Sequence, residues 1–382
     1  MRQPSPLTGV RKVAFIAHSA RSLLRFRGAL VRAVAAQRHR VLVLAPDFDV
    51  PTKDALAKDG IAAETFPLEA PGAGPFAERR TERAIAEHLK AFAPHVVVSS
   101  GARTAALGAL TGMATGATRV VLIINGLSAL GLDGDETAGW LREGSARRQR
   151  KAALAAAHLV VFHNPDDPRR LIDEELMPAT KPYIVTAGSG VDLQHFAATP
   201  LPQLGDGLVF LMLAPLDRAQ GVLTFAEAAA LVRTKSPGSK FQIAGPEGRQ
   251  RGGLNSQHLA RFKDQVEYLG FVADVRPLIG AAHVVVHASI SEGMPGPLLE
   301  ALAMGRPVIA CDIPGSRQTV DERVNGVLVP PGDAAALAVA MESFLKRPDL
   351  IAAMSRAGRA KAERMFDEQA VVAQMLAALE LG

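Results

Sequence analysis

Short apolar runs alternate along the chain with longer segments whose apolar residues recur at helical spacing. Leu23–Gln37 has apolar residues on one face and arginines on the other, and Leu223–Thr234 and Pro297–Met304 are similar segments of the second half. This alternation of strands and helices predicts an α/β fold, with parallel sheets covered by helices on both faces. The predicted strands are Val13–Ala17, Val41–Ala45, Val96–Ser99, Val120–Ile124, Leu159–Phe162, Tyr183–Thr186, Val209–Leu213, Phe241–Ala244, Val266–Leu269, Val284–His287, Val308–Ala310 and Val327–Val329.

The alternating pattern occurs twice, on either side of a turn-rich stretch at residues 197–207. At 382 residues the chain is longer than one hydrophobic core usually supports. We therefore expect two Rossmann-like domains, residues 1–197 and 198–382, facing each other across a cleft. Ligands of such sheets bind beyond the carboxyl ends of the strands, so the loops that follow the strands are the first place to look for chemistry.

Composition narrows the class of protein. Apolar residues make up 48% and charged residues 21%, which is typical of a globular chain. Cys311 is the one cysteine, so a disulfide framework within the chain is excluded and a reducing compartment fits. No run reaches the roughly 18 apolar residues of a membrane span. We expect a cytoplasmic protein, either free or peripheral on the inner face of the cytoplasmic membrane.

Charge is unevenly distributed. Residues 1–190 contain 25 Lys and Arg against 18 Asp and Glu, a net +7, and the remainder contains 18 against 20, a net −2. A basic N-terminal half suits an anionic partner, such as a phosphorylated acceptor or a lipid surface, but it is also typical of an ordinary solvated surface. The same two interpretations apply to the basic run Arg147–Lys151. Nucleic acid is not an expected partner, because only 5% of residues are aromatic and no binding motif occurs.

The most informative stretch is Ser289–Arg317. A buried strand is followed by a loop containing Glu292, Gly293 and Gly296, and Pro297 suits the first position of the next helix. Such a glycine-containing loop leads to a helix N-terminus, where free N–H groups and the helix dipole favour a phosphate.

Two carboxylates lie eight positions apart in this stretch, Glu292 in the loop and Glu300 in the first turn of the predicted helix. Carboxylates do not bind phosphate, but they accept hydrogen bonds from hydroxyls, which a sugar and a ribose present. The alternative is that Glu300 complements the helix dipole and Glu292 is solvated.

The pair resembles the E-x7-E signature of the family-4 retaining glycosyltransferases, especially the bacterial branch that builds polysaccharide units on lipid carriers. The resemblance covers nearly the whole chain and is strongest from about residue 183 onward. It implies the GT-B architecture, with an acceptor-side first domain, a nucleotide-sugar-binding second domain, and a last helix, from about residue 368, that packs back on the first. Other similar segments are Gly188–Phe196 (GSGVDLQHF), Tyr268–Pro277 (YLGFVADVRP), Asn325–Asp333 (NGVLVPPGD), Phe26–Leu30 and Arg40–Pro46.

The resemblance also implies roles for individual residues. Glu292 is expected to contact the donor sugar as the catalytic residue, Glu300 to bind the ribose hydroxyls, and Phe271 and Val272 to lie beside the base. The backbone expected to face the sugar and diphosphate comprises Gly293, Met294, Pro295, Gly296, Pro297 and Leu298.

The chain departs from the family at two positions where an Arg and a Lys usually bind the diphosphate. The segment reads LAPLDRAQG, with Pro215 and Gln220 at those two positions. Each charge-assisted contact is worth about 1.5–3 kcal/mol, so the donor site is expected to be weakened. Arg218 is the nearby cation that could substitute in part.

In the first domain, Asn125 and Gly126 resemble the acceptor-side loop of the family. Arg103 lies where related enzymes carry a basic residue facing the phosphates, and His18 ends the first strand. An ordinary surface arginine and a structural histidine are the alternatives for those two positions.

No metal or other cofactor is expected, since enzymes of this family neutralise the diphosphate with basic side chains and helix N-termini. The triplets Asp47-Phe48-Asp49 and Asp133-Gly134-Asp135 spell the D-x-D metal motif of the other large transferase fold. Both stand in polar, loop-like stretches, and we do not expect them to bind metal.

The sequence therefore predicts transfer of a sugar, with retention of configuration, from a nucleotide-sugar to a saccharide acceptor in cell-surface polysaccharide biosynthesis. The donor is expected to be uridine-linked, and the acceptor a polyprenyl-diphosphate-linked or growing saccharide. One rival is a non-catalytic or weakly binding partner subunit, which Pro215 and Gln220 favour. A Rossmann-type oxidoreductase is disfavoured, because no G-x-G-x-x-G follows the first strand.

Overall fold

A computed structural model describes residues 9–68, 75–127, 140–248 and 252–381. The chain forms two compact units. One contains the residues up to Ser189 together with those from Gln369 onward, and the other is Gly190–Glu368. The first change of unit thus falls at Ser189, before the turn-rich stretch 197–207 at which the sequence analysis placed it.

Within the described residues, the first unit contains a seven-stranded parallel sheet of order β3-β2-β1-β4-β5-β6-β7. Its strands are β1 Lys12–Ile16, β2 Arg40–Leu44, β3 Ile61–Glu64, β4 Val96–Ser100, β5 Arg119–Ile123, β6 Leu159–Phe162 and β7 Tyr183–Val185. Its helices are α1 Ala20–Ala36, α2 Val50–Lys58, α3 Pro75–Phe92, α4 Ala102–Ala114, α5 Trp140–Ala156 and α6 Asp166–Asp173.

The second unit contains, in its described part, a six-stranded parallel sheet of order β10-β9-β8-β11-β12-β13. Its strands are β8 Val209–Leu213, β9 Lys240–Ala244, β10 Glu267–Tyr268, β11 Val284–His287, β12 Val308–Cys311 and β13 Gly326–Val329. Its helices are α7 Val222–Arg233, the 3-10 helix Ser256–Phe262, α8 Arg276–Ala281, α9 Gly296–Ala303, α10 Pro314–Thr319, α11 Ala334–Lys346 and α12 Asp349–Met365.

The chain ends in α13, Glu368–Ala378. Val371 and Met375 of this helix are buried in the same apolar cluster as Val31 of α1. Arg119, which begins β5, donates hydrogen bonds to Ala378 O and pairs with Glu380. The terminal helix is therefore bound to the first unit by apolar packing and by a half-buried ion pair.

Both faces of the first sheet are covered. Val13 and Phe15 of β1 lie in the cluster that contains α1 and α13, whereas Ala14 and Ile16 lie in a second cluster with Ile85 of α3. Successive side chains of a strand point to opposite faces, so a strand buried on both sides reads as a continuous apolar run. This burial explains why the apolar runs of the sequence predicted the strands.

The predicted α/β class is confirmed, and each sheet has the strand order of a Rossmann fold. The strand β3 was missed in the sequence. It lies at the edge of the first sheet, and its four residues, IAAE, are mostly not buried and include only one β-branched side chain. Such a strand has no apolar pattern, because its position is set by pairing with β2.

The two aspartates of Asp47-Phe48-Asp49 have structural roles. Asp47 Oδ1 accepts a hydrogen bond from the Ala20 amide at 2.6 Å, and Asp49 caps α2 by accepting one from the Thr52 amide at 2.8 Å. Asp133-Gly134-Asp135 lies outside the described residues. Among the residues that the structure describes, no group of three or more His, Cys, Asp or Glu side chains could hold a metal ion.

Nowhere in the described ranges is a helix long and apolar enough to cross a membrane. The basic run Arg147–Lys151 lies on α5, where Arg147 donates a hydrogen bond to Glu174 O. Contact of this run with a lipid surface stays a prediction.

Candidate functional site

In the second sheet, β8, β9 and β10 succeed one another toward one edge, and β11, β12 and β13 toward the other. The switch point therefore lies between β8 and β11. In a doubly wound sheet the loops that follow these two strands diverge and leave a crevice for a ligand. Here they are residues 214–221 and 288–295, the segments in which the sequence analysis placed the diphosphate and sugar contacts.

These two loops are held together by backbone contacts. Ile290 donates its N–H to Ala219 O at 3.0 Å, and Ser289 Oγ donates to the same oxygen at 3.3 Å. Gly221 has a φ of 72°, and a Cβ at this position would lie 2.0 Å from Ala288 O. The close approach therefore requires glycine, both for its left-handed backbone and for its missing side chain.

Glu292 lies in the loop after β11, with its side chain 25% exposed. Its Oε1 accepts a hydrogen bond from Gln220 Nε2 at 3.1 Å, and its Oε2 lies 3.7 Å from Nε2 of the buried His287. Burial lowers the pKa of His287, and the Glu292 charge opposes this shift with a smaller effect. His287 is therefore neutral at pH 7, and Glu292 keeps lone pairs available for a hydroxyl donor.

The helix α9 begins at Gly296, one residue earlier than predicted, with Pro295 as its N-cap. Glu300 is consequently the fifth helical residue and lies in the second turn, not in the first turn as predicted. It is 9% exposed. This position weakens the alternative that Glu300 complements the helix dipole, because that effect falls off within the first turn.

The phosphate-binding capacity of the α9 N-terminus is smaller than the sequence analysis expected. Pro297 has no N–H, and the Leu298 N–H donates to Pro295 O at 3.2 Å. Binding of an anion at this end would depend chiefly on the Gly296 amide, with the loop residues Gly293 and Met294 beside it.

The loop that carries Glu292 also packs against α10. A Cβ on Gly315 would lie 2.6 Å from both Glu292 O and Gly293 O. Gly315 is the second residue of α10, so the backbone of this helix supports the loop directly. The position of Glu292 is thus set by two neighbours, Ala219 through the loop after β8 and Gly315 through α10.

The segment expected beside the base follows β10. Phe271 is 53% exposed, and Val272 is half-buried. The segment is anchored by Gly245, whose N–H donates to Gly270 O at 2.8 Å and whose O accepts from the Tyr268 hydroxyl at 2.8 Å. An exposed aromatic ring on an anchored loop is suited to stacking against a base.

Positions 215 and 220, where the family usually has the Arg and Lys that contact the diphosphate, are here called the diphosphate clamp. In this structure both have a different environment. Pro215 is exposed, and Gln220 donates to Glu292. Arg218 is exposed, and its backbone N–H donates to Gly252 O at 3.1 Å.

In the first unit, the acceptor-side candidates and the predicted phosphate contact Arg103 all follow strands of the sheet. His18 follows β1, Arg103 is in the first turn of α4 after β4, and Asn125 and Gly126 follow β5. His18 Nδ1 would lie 2.4 Å from a Cβ on Gly101, so glycine is required where α4 begins. The Arg103 side chain lies outside the described residues.

The Asn125 side chain belongs to a buried polar cluster that the sequence analysis missed. Asn125 Oδ1 accepts from Arg27 Nη2 at 2.9 Å, and the same Nη2 lies 2.8 Å from His163 Nε2. Arg27 is on α1 and is 7% exposed, although it occupies a helix in which the other arginines suggested a solvated face. Its position in the apolar stripe with Leu23 and Leu30 was the signal that could have revealed its burial.

Two family models match the chain, one on each unit. The description of the first is a glycosyl transferase 4-like domain, matched over residues 25–185, and that of the second is glycosyl transferases group 1, matched over residues 207–347. The chain belongs to the family-4 glycosyltransferases. The second model includes both Glu292 and Glu300.

Among curated relatives of this glycosyltransferase, EpsD of Bacillus subtilis is 31% identical over 170 residues, which is 44% of each chain. The UDP-Gal:alpha-D-GlcNAc-diphosphoundecaprenol alpha-1,3-galactosyltransferase of Escherichia coli is 31% identical over 197 residues, 48% of this chain and 49% of that one. The chain thus spans about half the length of these curated relatives.

Solved structures show the fold over nearly the whole length. HepE of Anabaena, in complex with UDP and glucose, superposes with a TM-score of 0.75 at 20% identity, covering 97% of this chain and 99% of that one. The GT-B fold predicted from the sequence is confirmed.

Proposed function

We propose that this glycosyltransferase moves a sugar from a uridine-diphosphate donor to a hydroxyl of a lipid-linked or growing saccharide in cell-surface polysaccharide biosynthesis. The observation that carries the proposal is the arrangement at the second switch point. Glu292, in a loop fixed by Ala219 and Gly315, precedes α9, whose second turn carries the buried Glu300. Two carboxylates on either side of a helix N-terminus suit a ligand with hydroxyls at both ends and phosphate between them.

In this proposal Glu300 accepts hydrogen bonds from the ribose hydroxyls, and Glu292 accepts them from the donor sugar. The half-exposed Phe271 stacks against the base. The name of the Escherichia coli relative, with its UDP-Gal donor and diphosphoundecaprenol-linked acceptor, supports a uridine-linked donor and a lipid-linked acceptor. The basic first unit suits such an acceptor and an anionic membrane surface.

The reaction we propose retains the anomeric configuration. The bond between sugar C1 and the diphosphate oxygen breaks, the acceptor oxygen bonds to C1 on the same face, and the leaving diphosphate oxygen takes the acceptor's hydroxyl proton. Glu292 is then not required as a nucleophile. Its role is to orient the sugar, for which a carboxylate held by Gln220 is suited.

A second candidate is a partner subunit that binds nucleotide weakly and does not catalyse transfer. The contact between Gln220 and Glu292 favours it, because the clamp position is occupied by an uncharged side chain that bonds to the protein itself. Pro215 supplies neither a charge nor an N–H.

Thermal unfolding with a panel of nucleotides separates the candidates. A ligand at 100 times its Kd stabilises the native state by about 2.7 kcal/mol. We expect UDP and UDP-sugars at millimolar concentration to raise Tm, NADH to leave it unchanged, and UDP-sugar incubated with a lipid-linked saccharide to release UDP. A shift with UDP but no turnover would favour the partner subunit, and no shift with any nucleotide would contradict both candidates.

The retaining stereochemistry needs a separate measurement. Proton NMR recorded during the reaction distinguishes an axial from an equatorial linkage at C1 of the product. A product with the anomeric configuration of the donor supports the front-face mechanism, and the opposite configuration contradicts it.

A further inference from the structure

Arg27 places a buried positive charge among neutral partners. Its Nη1 donates to Ser189 Oγ at 3.1 Å and to Phe26 O at 3.3 Å. Its Nη2 contacts Asn125 Oδ1 at 2.9 Å and His163 Nε2 at 2.8 Å. None of these four partners is a carboxylate, and among the described residues Nε has no hydrogen-bond partner.

The donors of Arg27 fix the orientation of its neighbours. His163 Nε2 lies 2.8 Å from Arg27 Nη2 and also 3.1 Å from Asn125 Oδ1. A guanidinium only donates, and this decides the assignment: Asn125 presents Oδ1 to Arg27, and His163 presents an unprotonated Nε2. The His163 proton is therefore on Nδ1, which donates to Thr186 Oγ1 at 3.1 Å, and Thr186 Oγ1 donates onward to Gly188 O at 3.2 Å. The consequence for Asn125 is that its NH₂ group points away from the cluster and is available as a donor.

The cluster carries one net positive charge at neutral pH. Burial lowers the pKa of Arg27 to about 10, which leaves it protonated. Burial and the Arg27 charge together hold the pKa of His163 well below its usual value, so this ring stays neutral. A buried charge is costly unless it is paired, and an anion close to the cluster would reduce that cost.

The cluster lies beyond the carboxyl ends of the strands, where a ligand of such a sheet is expected. Asn125 follows β5, His163 follows β6 and Thr186 follows β7, so three adjacent strands deliver these residues from their carboxyl ends. The cavity beside Arg27 and Ser189 measures about 10 Å³, which is at most the space of one water. An anion larger than water therefore does not fit in that cavity, which residues of α1 and α13 line. At the carboxyl ends of the strands, the donor that the cluster offers to an anion is the NH₂ group of Asn125.

We infer that Asn125 is a donor-only contact for a phosphate oxyanion of the acceptor, and that Arg27 is the positioning residue that orients it. Arg27 acts in two ways: it fixes the Asn125 amide with its nitrogen outward, and its charge makes the position favourable for an anion. This inference rests on the proposed function, because it assigns the site to the acceptor. In this inference the half-buried Asn125 donates hydrogen bonds to an oxyanion and does not accept one from a hydroxyl group.

Asn125→Asp is the direct test, since it keeps the size of the side chain and replaces the two N–H donors with a negative charge. The probe is geranyl diphosphate, a short prenyl diphosphate, titrated by calorimetry into the full chain, with geraniol as the uncharged comparison. Loss of one hydrogen bond to a charged group corresponds to about tenfold to hundredfold in affinity. We expect at least a tenfold loss for geranyl diphosphate in Asn125→Asp, with UDP affinity within twofold of wild type. Geraniol should bind the wild type more weakly than geranyl diphosphate does.

Arg27→Lys separates positioning from folding. Lysine keeps the charge but cannot hold Asn125 and His163 with one nitrogen, so we expect an intermediate loss with little change in Tm. Equal geranyl diphosphate affinities in wild type and Asn125→Asp would overturn the inference, as would wild-type binding no tighter than that of geraniol. Loss of UDP instead of geranyl diphosphate binding would assign the oxyanion to the donor and overturn it as well. Failure of the wild type to bind UDP, with geranyl diphosphate binding intact, would count against the proposed function only.

Discussion

Gln220 Nε2 donates a hydrogen bond to Glu292 Oε1 across 3.1 Å. In the resemblance drawn from the sequence, position 220 is where a lysine usually contacts the diphosphate. The amide instead contacts the carboxylate expected to bind the donor sugar. One consequence is that a cationic contact is missing, and the other is that Glu292 is oriented from within the second unit before any donor binds.

The missing cations predict a weak donor site that can be strengthened. Two contacts at about 1.5–3 kcal/mol each sum to roughly 3–6 kcal/mol, which is on the order of a hundredfold to ten-thousandfold in affinity. A lysine at position 220 would also pair with Glu292, so part of this gain is lost. We expect Pro215→Arg with Gln220→Lys to bind UDP at least tenfold more tightly than wild type in calorimetry.

The control for this experiment is Pro202→Arg with Gln203→Lys, which adds the same two charges between β7 and β8. It should leave UDP affinity within twofold of wild type. A wild type that already binds at low micromolar Kd, together with a double variant that gains nothing, would show that another cation such as Arg218 acts in place of the clamp.

Gly221 is predicted to be indispensable for the site. Alanine there would adopt a φ of 72°, which costs about 1–2 kcal/mol, and its Cβ would also lie 2.0 Å from Ala288 O. Gly332→Ala is the matched control, because Gly332 has a φ of 74° and nothing within 4 Å of its Cβ position. We expect Gly221→Ala to lower Tm more than Gly332→Ala and, unlike the control, to weaken UDP binding. Equal effects of both substitutions would show that only the backbone conformation matters.

The sequence predicted strands well and polar contacts poorly, for one physical reason. Strands β6, β8 and β11 match the predicted runs residue for residue, because burial on both faces leaves a continuous apolar pattern. The Arg27 cluster joins residues 98 and 136 positions apart in sequence, and such contacts depend on tertiary packing that no local pattern records. Glu292 and Glu300 could be proposed from the sequence because the loop, the helix start and both carboxylates lie within one short segment.

Buried neutral histidines predict a loss of stability in acid. His163 has its pKa held well below the usual 6.5, first by burial and then by the Arg27 charge. As pH falls below about 6.5, the unfolded chain binds a proton that the folded chain does not, so the free energy of unfolding decreases by up to about 1.4 kcal/mol per pH unit for this site. We expect Tm to fall between pH 7 and pH 5.

His163→Gln removes the titrating group and keeps an acceptor for Arg27. Its Tm should decline less steeply with falling pH than that of wild type. If His163→Gln and wild type lose stability with the same slope, His163 is not a source of the acid sensitivity.

UDP titration of Glu300→Ala by calorimetry measures whether Glu300 holds the ribose. The matched control is Glu227→Ala, which removes a carboxylate of the second unit that is 49% exposed and pairs with Arg261. Each variant is also titrated with 2′-deoxy-UDP. If Glu300 contacts the ribose 2′-hydroxyl, removing the carboxylate and removing the hydroxyl have non-additive effects on affinity. We predict a loss of about 1.5–3 kcal/mol in Glu300→Ala, roughly tenfold or more in affinity, with a reduced preference for UDP over 2′-deoxy-UDP and no change in Glu227→Ala. UDP affinity in Glu300→Ala equal to that of wild type would contradict the account.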